Sequence, residues 1–202
     1  GQLAVTLPRF AALRHARELI ETSRPSIRQW LIKHQQHARV LHDGDRIGQS
    51  HTLRFIATQD RSIVVKHDGL VIAVHHPLTM FHTDPAVQKA LRPALQKALQ
   101  KEARAYLPRR LRHLADTYGF AYERVRFGTQ KGRWGSCSSR GTVSLNVGLM
   151  FLNPELIDYV LVHELCHTRQ MNHSPQFWSL VETCLPDYKV RRKRLKTEQP
   201  NI

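Results

Sequence analysis

The run NPELIDYVLVHELCH, residues 153–167, is apolar on nearly every side of a helix and yet ends in two histidines and a glutamate. Leu156, Ile157, Val160, Leu161, Val162 and Leu165 leave such a helix no broad polar face, so it belongs inside the molecule. Asn153 suits the N-cap and Pro154 the first helical position, which sets where the helix begins. Residues four apart share a helix face, so the imidazoles of His163 and His167 stand side by side, one turn apart. Burying two imidazoles and the Glu164 carboxylate without partners costs on the order of several kcal/mol. A fold built around this helix has to supply something that satisfies all three.

A divalent metal with its water does so. HELCH is the HExxH pattern, and zinc takes imidazole nitrogens at about 2.0–2.1 Å, a reach that rings on successive turns meet without strain. Glu164 stands beside the pair and is placed to act as general base toward a water on the metal. The alternative is two core histidines with ordinary hydrogen bonds. A catalytic zinc keeps three protein ligands and one open position, so a third ligand is expected beyond the helix end. His173 follows closely in TRQMNHSP. Asn172 suits a left-handed helix terminator, and Ser174-Pro175 opens the next helix, so His173 sits in a tight corner that can fold back on the metal. His173 is therefore the expected third ligand. Glu182, on the following helix, is its competitor, because a His-His-Glu site would place it there. Cys166 borders the metal face and reads as a small core residue rather than a thiolate ligand.

The 202 residues allow one large domain or two small ones. The expected division is an N-terminal helical and β-hairpin region over 1–79 and a catalytic domain over 80–202. The first 45 residues or so read as helical and basic. HTLRFIAT, SIVVKH and GLVIAVHH then alternate with period two, with turns at QDR and HDG; Asp68-Gly69 is a hairpin signal. Asp84 and Pro85 open a long helical pattern that Pro93 and Pro108 are expected to kink or divide. YERVRFGT and TVSLNVGLMFL read as strands around the loop QKGRWGSCSSRG. SPQFWSLVETCL and PDYKVRRKRLK read as two further helices, the first capped by Ser174.

The stretch GRWGSCSSRGTVSLNVGLMFLNPELIDYVLVHELCHTRQMNHSPQFW resembles the YgjP-like metallopeptidases, relatives of the SprT-like and WLM zinc peptidases. The likeness is close over residues 125–190. It implies zinc as the cofactor, with His163, His167 and His173 as its ligands and Glu164 as the catalytic base. It also implies an α+β, zincin-like metallopeptidase domain with a small sheet beside the HExxH helix, acting on a protein or peptide substrate. In such a fold TVSLNV edges the cleft, where an extended substrate backbone can pair with it; the other reading is an internal strand. Ser144 and Asn146 point to one side of that strand, opposite Val143 and Leu145. Arg133 lies in the preceding loop and suits an oxyanion or a substrate carboxylate or phosphate. Arg133 and Asn146 are the expected substrate-binding residues.

The balance of 31 Lys+Arg against 16 Asp+Glu gives a net charge of +15, a field that attracts polyanions, nucleic acid first among them. The densest cluster runs from Lys189 through Arg191, Arg192, Lys193 and Arg194 to Lys196. Three rival functions follow. A metal-dependent nucleotide phosphohydrolase would want a carboxylate-rich two-metal site, and the motif supplies only Glu164. A nucleic-acid-associated protease would use the basic surface to stay bound while the zinc site cuts protein. A non-catalytic zinc module has no use for Glu164. No apolar run approaches the ~18–20 residues of a membrane span, and the first residues do not read as a signal peptide. Three cysteines without disulfide spacing fit a reducing cytoplasm, the expected location.

Overall fold

Val87, Leu91, Leu95, Leu99, Ala103, Leu107, Leu111 and Ala115 are buried in turn, at every fourth position of one helix. That helix, α1, runs over Pro85–Tyr118 in the computed structural model, which describes residues 20–26, 28, 40–130 and 132–198. A step of four residues on a 3.6-residue helix overshoots one turn by about 40°. The buried row therefore winds around α1, and the helix meets different partners along its length. Near its start Gln88 bonds both backbone atoms of Leu41, and towards its end Arg110 pairs with Asp158 at 2.6 Å. Pro93 and Pro108 do not divide it, contrary to the sequence expectation. Pro93 is exposed, so the carbonyl it leaves without a partner can turn to water, and burial on the other side offsets the cost. Gly119, at φ 69°, ends the helix in the left-handed conformation that a glycine adopts freely.

The chain divides into two compact units, residues 1–39 and 40–202. In the first, residues 20–26 are helical, and Glu21 and Arg24 pair one turn apart. The remainder of the helices expected there lies outside the described residues. The second unit is an α+β fold with two sheets. Strands β1 (Arg46–Ile47), β2 (His51–Thr58), β3 (Val64–Asp68) and β4 (Val71–Pro77) form the first, in the order β1-β2-β4-β3. Gly69, at φ 56°, turns β3 into β4 as an antiparallel hairpin. The QDR segment is no hairpin turn, because β4 inserts between its two flanking strands and pairs with β2 in parallel. Ile72 and Val74, alternate residues of this central strand, are fully buried.

Glu102 ties α1 to this sheet. Its carboxylate accepts from Gln49 N at 2.8 Å, from Ser50 N at 3.0 Å and from the Ser50 hydroxyl, and lies 2.6 Å from His51 Nδ1. Burial alone would raise its pKa, but these hydrogen bonds outweigh it and hold the carboxyl below its ordinary value. The side chains of His51 and Glu102 are 5% and 9% exposed, so removing one strands the other. Glu102→Ala is expected to cost about 3 kcal/mol, read as a lower urea midpoint at unchanged slope. The folded pKa is depressed, so the loss is full above about pH 4.3, the ordinary carboxylate value. It fades as the pH falls through the folded value. A variant as stable as the parent at pH 7 would reject this role.

The second sheet holds β5 (Arg124–Gly128), β6 (Gly135–Cys137) and β7 (Thr142–Asn146) in the order β5-β7-β6. TVSLNV is thus the internal strand, parallel to β5 and antiparallel to β6, and the three-residue β6 is an edge. A 3-10 turn over Val147–Phe151 leads into α2 (Pro154–Cys166), followed by α3 (Pro175–Cys184) and α4 (Tyr188–Leu195). Ser174 caps α3 by accepting from Phe177 N, whereas the side chains of Asn153 and Asp84 make no capping bond to their helices; Asp84 Oδ2 instead accepts from Phe81 N at 2.9 Å. Among the described residues no helix is long and apolar enough to cross a membrane.

Candidate metal centre

α2 is mostly buried from Leu156 onward and carries His163 and Glu164 in its last turn, with His167 just past its end. The chain then turns back through residues 167–174 without a left-handed residue. No described residue other than glycine has a positive φ, so Asn172 is not the terminator the sequence suggested. The turn returns His173 to the other two histidines. Their ring centroids form a nearly equilateral triangle, at 4.9 Å for His163–His167, 5.0 Å for His163–His173 and 4.7 Å for His167–His173. One ligand atom from each lies within 4.8 Å of the others, and the Nε2 atoms of His163 and His173 are 3.1 Å apart.

Phe177 of α3, fully buried, touches all three rings at centroid distances of 4.5–4.9 Å. It forms an apolar floor beneath the triad. Trp178 lies beside it, 5.4 Å from His173 in a stacked arrangement and 5.8 Å from His163. Both aromatics follow Ser174-Pro175 in the sequence, and an aromatic pair one turn into a helix next to a ligand corner is the signal that marks them.

The protonation chemistry suits a cation. Burial first, then the neighbouring His167, His173 and Arg192, push the His163 pKa down to about 3. Burial lowers His167 as well. His167 Nδ1 lies 3.0 Å from the Gln170 carbonyl, which can only accept, so Nδ1 carries the proton and Nε2 keeps its lone pair. His163 Nδ1 is buried without a hydrogen-bond partner.

Glu164 is 5% exposed and its Oε2 has no hydrogen-bond partner. Burial raises its pKa to about 8, against an opposing pull from Arg133. It presses on the edge strand: a Cβ added to Gly135 would lie 2.8 Å from Glu164 Oε1 and Cγ. Gly135 is a site residue that sequence reasoning passed over, although the glycine of RWGSC is the visible trace of this close approach. Cys137, two residues on, has its thiol pushed up to about 11 by burial and by the Glu164 charge.

The other sequence candidates fall as follows. Glu182 is exposed on α3 and pairs with Lys189 at 3.1 Å, outside the histidine cluster. Asn146 is fully buried. Its Nδ2 donates to the carbonyls of Gln130 and Arg133 at 2.7 and 3.0 Å, and its Oδ1 accepts from Gly148 N at 2.9 Å. Its amide therefore ties the carbonyls of Gln130 and Arg133 to the end of β7. Arg133 is exposed, with no carboxylate partner among the described residues. Cys166 faces Cys184 in a buried thiol contact, where burial raises both pKa values and keeps them as thiols.

A histidine triad beside an unpartnered carboxyl can hold a divalent cation and move a proton next to it. The family description "YgjP-like, metallopeptidase domain" matches residues 1–198 of the chain. Among solved structures, the chain is similar to the zymogen of the metallopeptidase abylysin from Pyrococcus abyssi, with 30% identity and a TM-score of 0.41 over 45% of this chain and 91% of that one. It is also similar to the zymogen of the metallopeptidase jannalysin from Methanocaldococcus jannaschii, with 16% identity and a TM-score of 0.36 over 43% of this chain and 93% of that one. No curated protein sequence matches it.

Proposed function

The chain belongs to the YgjP-like metallopeptidase family, and from that premise we propose that it hydrolyses peptide bonds with zinc held by His163, His167 and His173 and with Glu164 as general base. The observation that carries this reading is the triangle of His163, His167 and His173 beside a buried carboxyl whose Oε2 has no partner. The donor set fits the ion. Two nitrogens on one tetrahedral zinc stand about 3.3 Å apart, close to the 3.1 Å between His163 and His173 Nε2. Bound there, zinc would supply a Lewis acid that acidifies water and polarises the scissile carbonyl. Glu164 takes a proton at Oε2 and delivers it to the leaving amine. Its burial keeps bulk water away from the carboxyl that handles this proton. The exposed guanidinium of Arg133 stands near enough to Glu164 to stabilise its charged form. The centre offers one carboxylate, which suits peptide hydrolysis better than two-metal phosphoryl chemistry.

The test is hydrolysis of casein alongside elemental analysis. About one zinc per chain is expected, as for one three-ligand site. Cleavage should stop with a chelator and return with zinc. Cleavage indifferent to the chelator would overturn the proposal.

A second reading concerns a polyanionic partner, and the observation favouring it is on α1. Half of the basic C-terminal cluster is committed: Lys189 pairs with Glu182, Arg191 with Asp187 and Arg194 with Glu155. On α1, Lys89, Arg92, Lys97, Lys101, Arg104, Arg109 and Arg112 are exposed and have no ion-pair partner among the described residues. They span about 35 Å of helix, and no large apolar side chain is exposed among them, which favours nucleic acid over a lipid surface. Neutralising Lys97, Lys101, Arg104 and Arg112 should flatten the plot of log affinity for duplex DNA against log salt by roughly 3–4 units. The same number of changes in α4 should do less. No binding to DNA at low salt would sink this reading.

A further inference from the structure

Arg192 stands out from the basic run around it. Its neighbours Lys189, Arg191 and Arg194 each hold a carboxylate, whereas Arg192 has no acidic partner among the described residues. Its guanidinium carbon lies instead 4.3 Å from the centroid of a Trp178 ring. Trp178 is itself fixed from two sides, stacked on Tyr188 at 5.6 Å and on His173 at 5.4 Å. A guanidinium stacked on an indole loses little of its hydrogen-bonding capacity, because its N–H donors point outward in the plane of the fork. The side chain is thus positioned but uncommitted, and its fork matches a carboxylate in two-point geometry.

Its place relative to the histidine triad follows from the same stack. Arg192 rests on Trp178 and Trp178 on His173, so the guanidinium is no more than three extended residues, at about 3.3 Å each, from the His173 ring. It is near enough for its charge to register at His163 and at Tyr159. Arg133, the other uncommitted guanidinium near the site, registers at Glu164 instead.

We propose that Arg192 is a specificity residue that binds a carboxylate of the substrate, either an acidic side chain or a free C-terminus, within three residues of the scissile bond. This deepens the peptidase reading and rests on it. A peptide running past the triad towards α4 meets one cation held at fixed distance by Trp178, and that cation selects for negative charge. A neutral or cationic residue at the same place leaves the guanidinium solvated and gains nothing.

The experiment uses the zinc-loaded protein and matched peptides that differ only in Glu or Gln at each of three positions on either side of the cleaved bond. Each peptide is made with a free and with an amidated C-terminus. The acidic peptide, or the free acid, should be preferred about five- to tenfold in kcat/KM, the size of one partly exposed charged hydrogen bond, and mostly through KM. Arg192→Gln should erase the preference, bringing the acidic and neutral peptides to the same kcat/KM within that variant. Arg192→Glu should turn the preference towards lysine. The amidated arm decides whether the carboxylate is terminal or on a side chain. A parallel titration measures peptide binding to zinc-loaded Glu164→Gln protein, with and without Arg192→Gln, by tryptophan fluorescence. Equal cleavage and equal binding of acidic and neutral peptides would overturn the role of Arg192 and leave the peptidase intact. So would an equal loss on both peptides in Arg192→Gln, which would mean that the residue only props Trp178. If no peptide is cleaved yet acidic ones bind through Arg192, the peptidase reading fails, the role in cleavage specificity falls with it, and only a carboxylate-binding site at Arg192 remains.

Discussion

Glu164→Gln is expected to keep zinc and the fold while peptide hydrolysis falls by about 10²- to 10⁴-fold. The substitution preserves volume, so the close contact with Gly135 is undisturbed. It removes only the capacity to take up a proton at Oε2, the atom that has no hydrogen-bond partner in the structure. Folding should not suffer. The carboxyl is 5% exposed, and burial already disfavours its charged form, so a neutral amide there relieves a desolvation cost. A melting temperature equal to or above that of the parent is therefore expected together with the loss of activity. The two readings taken together separate chemistry from structure. Turnover near that of the parent would mean that the proton passes through another group.

The part of the site that was legible in the sequence is the part built by one helix. The spacing of His163, Glu164 and His167 and the apolar residues around them are local facts, and helical geometry converts them directly into a face. His173 was reachable because only a short turn separates it from His167, although the turn does not use the left-handed residue expected at Asn172. What was not legible depends on pairing across long stretches of chain. Nothing in HTLRFIAT or SIVVKH says that β4 will enter between them in parallel with β2. Nothing in TVSLNV says that a three-residue strand, Gly135–Cys137, will take the sheet edge next to Glu164. Asn146 reads in the sequence as a substrate contact, and its bonds to the Gln130 and Arg133 carbonyls and to Gly148 N depend on packing that a strand pattern does not report. Arg192 is one cation in KVRRKRLK until packing sets it on Trp178. The continuity of α1 through two prolines likewise has its cause in tertiary burial, which local propensity does not report.

Loss of the metal itself tests the triad. His163→Ala and His167→Ala are each expected to abolish stoichiometric zinc, since a catalytic site with three protein ligands cannot spare one of them. His173→Ala should weaken zinc strongly as well, and Glu182→Ala should leave it unchanged. The reason lies in where the two side chains stand: His173 Nε2 is 3.1 Å from His163 Nε2, whereas Glu182 is exposed and bound to Lys189. Binding can be read without any activity measurement. A ligand present at a thousand times its dissociation constant stabilises the folded state by about 4 kcal/mol, so the parent should melt lower once a chelator is added. The three histidine variants should melt at the same temperature with and without it. Phe177 packs against all three rings, so each alanine also leaves a gap over the apolar floor, and the variants should melt somewhat below the metal-free parent. The chelator difference removes that effect, because the gap is present in both measurements. Full zinc in the His163→Ala, His167→Ala double variant would sink the assignment of the centre. A larger zinc loss from Glu182→Ala than from His173→Ala would move the third ligand to α3 and require the turn at residues 167–174 to open when the metal binds.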